Sequence, residues 1–170
     1  MYPDNRRTKI LILHFSNVYM LKLIIIVRPF ARYLFIFWLL TIIILSSIPN
    51  VPTIKLHTAK TEFRLDYLMH FCEYSFLTFL TFLSFAGWEF KFSTRKIILI
   101  ALSLMLFAFL DELHQKLIPG RSYNIMDILS NESGIVAGMI FILLTFKAVK
   151  TRLKTEESKL SSFQEKEVPR

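Results

Sequence analysis

Apolar runs of about twenty residues, broken by short polar stretches, fill most of the chain, which is the length an α-helix needs to cross a bilayer. Residues 30–48 form the plainest run, with Arg28 and Arg32 at its start and the breakers Pro49 and Pro52 just beyond it. A second run, 65–88, is apolar and aromatic but carries Asp66, His70 and Glu73 in its opening turns. The third begins near Lys96, is apolar over 97–110, and then meets Asp111 and Glu112. That is too short to span, so the predicted crossing continues to Ile118, where Pro119-Gly120 ends it. The fourth starts near Ile125, holds Asp127, Asn131 and Glu132 early, and is then apolar up to Lys147. Short connections between the runs predict an all-α polytopic membrane protein, a compact antiparallel bundle of four transmembrane helices.

The flanks divide the chain further. Residues 1–28 read as a basic arm, since the apolar stretch 10–27 includes His14, Asn17 and Lys22. Either it lies along the membrane interface or Met20 is the true start. Residues 29–149 form the membrane domain, and 150–170 a charged, solvated tail on the cytoplasmic side.

Composition supports the membrane class, with 54% hydrophobic and 20% charged residues among 170. The net charge of +8 comes without a basic, aromatic-interleaved stripe, so it reports on topology and argues against a nucleic-acid partner. Sixteen Lys and Arg fall on the termini and the loop after Trp88, against five on the other two loops. The positive-inside rule then predicts cytoplasmic termini in the plasma membrane, with the first and third loops outside. Cys72 stands alone, which excludes an internal disulfide and a Cys-based zinc site, and a packed position suits it.

An ionised side chain at the bilayer centre costs about 2.5–3.5 kcal/mol on insertion scales, so such residues face one another or a wet cavity. Asp66, His70, Glu73 and Tyr74 share one helical stripe by their spacing. Asp111 and Gln115 pair at i, i+4 late in the third run, as do Asp127 and Asn131 early in the fourth, with Arg121 between them. In an antiparallel bundle all of these converge at one depth, on the outer side under the predicted topology.

Two ordered stretches carry a family resemblance. They are Asp66-x3-His70-Phe71-x2-Tyr74-x2-Leu77 and Asp111-Glu112-x2-Gln115-x3-Pro119-Gly120-Arg121-x5-Asp127-x3-Asn131-x2-Gly134-x3-Gly138. Together they resemble the VanZ-like family of small bacterial membrane proteins, over about residues 34–147. The resemblance implies a multi-pass helical protein and lowered susceptibility to teicoplanin-type glycopeptides. This chain departs from the family pattern at Tyr67, where Lys is frequent, and at Asn124, where Ser is frequent.

Three readings of the polar cluster stay open on sequence alone. In the first, the groups form a buried network that specifies helix packing, a structural membrane scaffold. In the second, Asp66, His70, Asp111, Glu112, Gln115, Arg121, Asp127 and Asn131 line a ligand pocket for an amphipathic envelope molecule, such as a lipid-linked wall precursor or a lipoglycopeptide. Arg121 there holds an anionic group by its planar fork, and membrane lipids surround the helices. The third is an intramembrane hydrolase or transferase, with His70, Glu73 and Asp66 as catalytic candidates, or a metal held by Asp66, His70 and an acid of another helix. The second is preferred, with no metal and no cofactor, because no paired-histidine motif is present. The acids crowd together, so a proton or cation belongs in the resting state. Gly134-x3-Gly138 is assigned to close helix packing.

Overall fold

Helices form where the apolar runs predict them. The structure is a computed structural model that describes residues 24, 26–50, 55–57, 62–86 and 91–167. The expected sites His14, Met20 and Trp88 lie outside the described residues. A 3₁₀ turn, Arg28–Phe30, leads into α1, Ala31–Ser46. Two three-residue strands follow, β1 (Lys55–His57) and β2 (Glu62–Arg64), paired antiparallel with Lys55 opposite Arg64. Helix α2 is Leu65–Phe85, α3 is Thr94–Gln115 and α4 is Ile125–Glu167.

Four of these segments are long and apolar enough to span a bilayer: Arg28–Ser46, Leu65–Phe85, Thr94–Gln115 and Ile125–Thr155. At about 1.5 Å rise per residue, some twenty residues match a hydrocarbon core of about 30 Å. The third helix is shorter than the run to Ile118 suggested, because the chain leaves the helix in turns after Gln115. The fourth is longer. No Pro occurs between Ile125 and Glu167, and the Lys, Glu and Gln of the tail are good helix formers, so α4 runs unbroken through position 150.

Burial is inverted relative to a water-soluble bundle. Large apolar side chains such as Tyr33, Phe37, Leu102, Leu106 and Leu144 face outward, while Asp111, Glu112, Gln115, Asp127 and Asn131 are buried. Cys72 also faces outward, so it does not pack in the interior as its apolar setting suggested. Hydroxyls along the helices are satisfied internally, as in Thr78 to Tyr74 O and Thr81 to Leu77 O, each at 2.7 Å.

The tightest pairing is between α2 and α4. A Cβ on Gly134 would collide with the carbonyl oxygen of Phe71, and one on Gly138 would stand 2.5 Å from that of Ser75. Absence of a side chain at both positions lets the two backbones touch. Apolar packing fills one end of the bundle, around Ala31, Phe82, Leu83, Ile142 and Phe146, and the middle, around Ile42, Leu77, Leu104 and Ile135. Trp38 does more than pack, since its Nε1 donates to Glu73 O at 3.0 Å.

Candidate functional site

The end of the bundle left free by the two apolar clusters is where the start of α2, the end of α3 and the start of α4 meet. Up-and-down connectivity brings these together from distant parts of the sequence. Among these helix ends, the start of α4 carries a side-chain cap. Asn124 caps α4 by accepting from Met126 N–H at 3.1 Å, and its own amide donates to Asp127 Oδ1 at 3.1 Å.

Asp111 and Glu112 are neighbours about 100° apart on α3, yet both are buried. They serve different partners. Tyr74 of α2 donates its hydroxyl to Asp111 Oδ2 at 3.1 Å, and Gln115 Nε2 donates to the same oxygen at 3.3 Å. Asn131 of α4 donates to Glu112 Oε1 at 3.5 Å. Helix α3 is thus joined to α2 through one acid and to α4 through the next.

Arg121 reaches across to α1. Its guanidinium donates to Leu45 O at 2.8 Å and Ile48 O at 3.2 Å, and to Gln115 Oε1 at 3.4 Å. These carbonyls lie at the C-terminal end of α1, where intrahelical partners run out and a cation is favoured. Asn50 N–H donates to Pro119 O at 3.1 Å, and Gly120, at φ +75°, fits against the Asn50 side chain where no Cβ has room. Ser47 accepts or donates to His114 Nε2 at 3.1 Å in the same corner.

A partly open cavity of about 220 Å³ lies inside this ring, lined by Arg64, Asp66, Met69, His70, Glu73, Gln115, Arg121 and Asp127 together with the end of α1. Arg64 pairs with Asp66 at 2.8 Å and sits over the Tyr67 ring, 5.2 Å from its centroid. The carboxylate beside it raises the Arg64 guanidinium above its ordinary pKa. Four buried atoms at this end of the bundle have no partner: Arg64 Nε and His70 Nδ1 in residues that line the cavity, and Glu112 Oε2 and Asn131 Oδ1 in the layer next to it. Buried polar groups normally find partners, so this concentration marks a place built for something further.

His70, Glu112 and Asp127 also bring one potential ligand atom each to within 4.8 Å of one another. The metal set weighed from the sequence, with Asp66 beside His70, differs from this grouping because Asp66 is held by Arg64. The structure brings Asp66, His70, Glu73, Gln115, Arg121 and Asp127 to the cavity, while Asp111, Glu112 and Asn131 form the buried layer next to it. Arg64 was not singled out in the sequence. The only signal for it was a cation two residues before Asp66, at the mouth of the second run.

A profile of the VanZ/LLP1 family matches residues 9–147, most of the chain. The protein belongs to the VanZ/LLP1 family. No curated protein and no solved structure matches it. With its four spanning helices, this VanZ/LLP1 member is a multi-pass membrane protein. At the two positions where the sequence departs from the expected pattern, Tyr67 lies beneath the Arg64 guanidinium, and Asn124 caps α4 and donates its amide to Asp127.

Proposed function

We propose that this VanZ/LLP1 protein lies in the bacterial plasma membrane with both termini cytoplasmic, and that its cavity takes the polar head of an amphipathic envelope ligand from the outer side. The ligand class is a lipid-linked wall precursor or a lipoglycopeptide, and its sequestration lowers susceptibility to teicoplanin-type glycopeptides. The observation that carries the reading is a partly open polar cavity whose lining includes two residues with an unpaired buried nitrogen, Arg64 and His70. Outward-facing apolar helices beside it suit an acyl or polyprenyl chain. Arg64, beside its bond to Asp66, keeps a buried Nε without a partner and so offers a donor to phosphate or carboxylate oxygens, and Glu73 suits an ammonium group. The distribution of Lys and Arg favours the outward orientation.

Two measurements test it. In a Cys72→Ser background, Ser122→Cys at the cavity rim should react with a membrane-impermeant thiol reagent added outside intact cells. Purified protein should bind fluorescent teicoplanin or a polyprenyl diphosphate in lipid nanodiscs, and Met69→Trp and Glu73→Ala should each weaken that binding about tenfold. Teicoplanin susceptibility should rise in the same variants at equal membrane levels. Labelling only from the cytoplasmic side, or binding and susceptibility unchanged in both variants, would overturn the proposal.

A second reading is favoured by the His70, Glu112 and Asp127 grouping: an intramembrane hydrolase or transferase acting on the same lipid-linked class. It requires turnover of a polyprenyl diphosphate by purified protein and loss of that turnover in His70→Ala.

A further inference from the structure

The geometry points to a binding site for one divalent transition-metal ion of the zinc class, formed by His70 of α2, Glu112 of α3 and Asp127 of α4. An imidazole nitrogen and two carboxylate oxygens, one from each helix, lie within 4.8 Å of one another. In a tetrahedral shell with bonds of about 2.0–2.2 Å, ligand atoms stand about 3.4 Å apart. The side chains therefore close on an ion by movements of about an ångström.

The unpaired atoms supply an independent reason. Glu112 is fully buried, at 0% exposure, and its Oε2 has no partner; His70 Nδ1 is buried and equally without one. A buried carboxylate oxygen with no donor is costly, and a cation removes that cost. The remaining oxygens are already tied. Asn131 donates to Glu112 Oε1 at 3.5 Å and Asn124 to Asp127 Oδ1 at 3.1 Å, which leaves one oxygen of each acid free. Ligating carboxylates are typically oriented by amide donors in this way.

Ligand chemistry narrows the ion. Mg²⁺ and Ca²⁺ favour shells made of oxygen alone, whereas an imidazole with two carboxylates suits Zn²⁺, Fe²⁺ or Mn²⁺. Three protein ligands leave a coordination position open. Since His70 and Asp127 line the cavity, that position faces it. The site does not depend on the head-group reading, because it rests on the three-helix grouping and on the unpaired Glu112 Oε2, which an ion satisfies whether or not a head group is bound.

The test uses the full chain, purified in detergent, stripped with a chelator, and carrying His14→Ala, His57→Ala and His114→Ala so that His70 is its one remaining imidazole. Competition against a chromophoric chelator should show one Zn²⁺ per chain with micromolar or tighter affinity, at least tenfold tighter than Mn²⁺, and no measurable Mg²⁺. Co²⁺ should give visible absorption bands. His70→Gln and Asp127→Asn should each weaken Zn²⁺ binding at least tenfold and lose the bands, and Zn²⁺ should raise the thermal midpoint of the parent but not of these variants. Glu112→Gln should behave alike, and where it fails to fold the other two decide. Substoichiometric zinc, or binding unchanged when His70→Gln and Asp127→Asn are combined, would overturn the site in favour of protons on the acids. Either result leaves teicoplanin binding to be judged by its own measurement.

Discussion

Tyr74 and Asp111 meet at 3.1 Å with both side chains buried, the hydroxyl of α2 donating to the carboxylate of α3. The bond spans two helices, and Gln115 shares the acceptor. Tyr74→Phe keeps the ring, including its contact with Phe107, and removes only the donor. Interhelical hydrogen bonds in membrane proteins average below 1 kcal/mol, and those to charged groups in general reach about 1.5–3 kcal/mol. Tyr74→Phe should therefore cost about 1 kcal/mol in unfolding from mixed micelles. A double-mutant cycle with Asp111→Leu, which removes the acceptor, should recover most of that as coupling, and additive costs would show the contact to be energetically idle.

The sequence made the depth of this layer readable because lipid penalises charge wherever it falls in a span. Asp66, His70, Asp111 and Asp127 had to converge once the helices were antiparallel. Partner choice was less readable. Helical spacing joins Asp111 to Gln115, but nothing in it says that Glu112 also faces inward. That follows from α3 lying against α4 as well as α2 at this end. Arg64 was hidden for a similar reason, and Arg121, read from the sequence as the holder of an anionic group, is instead bonded to the end of α1. Both stand between the spanning helices, and their partners depend on where the neighbouring helices stop. The short pairing of β1 with β2 was also invisible, since three-residue strands carry too little pattern to register.

Gly134 and Gly138 set the distance between α2 and α4, and the atoms they face are backbone carbonyls of Phe71 and Ser75, which cannot rotate away. Gly134→Ala and Gly138→Ala should each destabilise the protein by about 1–3 kcal/mol, the range seen for overpacking. Gly134→Val should exceed that and lower the amount of folded protein in the membrane. Folded fraction in a denaturant titration checks the order, and a neutral Gly134→Ala would mean that the helices do not touch there.

Arg121 should prove an architectural cation. Its bonds to Leu45 O, Ile48 O and Gln115 Oε1 use the planar fork in three directions. Lys offers a single ammonium and cannot reproduce that geometry. Because the two carbonyl contacts are exposed and water can replace the donor, Arg121→Ala should cost about 1 kcal/mol. Arg121→Lys should recover less than half of it. Amide hydrogen exchange should quicken at the end of α1 in both variants, while the α2–α4 contact is unchanged.

Asn124 separates capping from ligand orientation, because one side chain does both. Its Oδ1 caps α4 through Met126 N–H, and its Nδ2 holds Asp127 Oδ1. Asn124→Ser keeps an oxygen for the cap and loses the amide donor; Asn124→Ala loses both. Loss of an N-cap typically costs about 1 kcal/mol, so Asn124→Ala should fall by that amount and Asn124→Ser by only a few tenths. Zn²⁺ binding should divide the variants differently. Partners that orient a ligating carboxylate are worth about 10–100-fold in affinity, so Asn124→Ser should weaken Zn²⁺ by that factor while its stability stays near that of the parent. A stable Asn124→Ser protein that binds Zn²⁺ like the parent would show that Asp127 needs no help to hold its position, and the amide would then belong to the helix start alone.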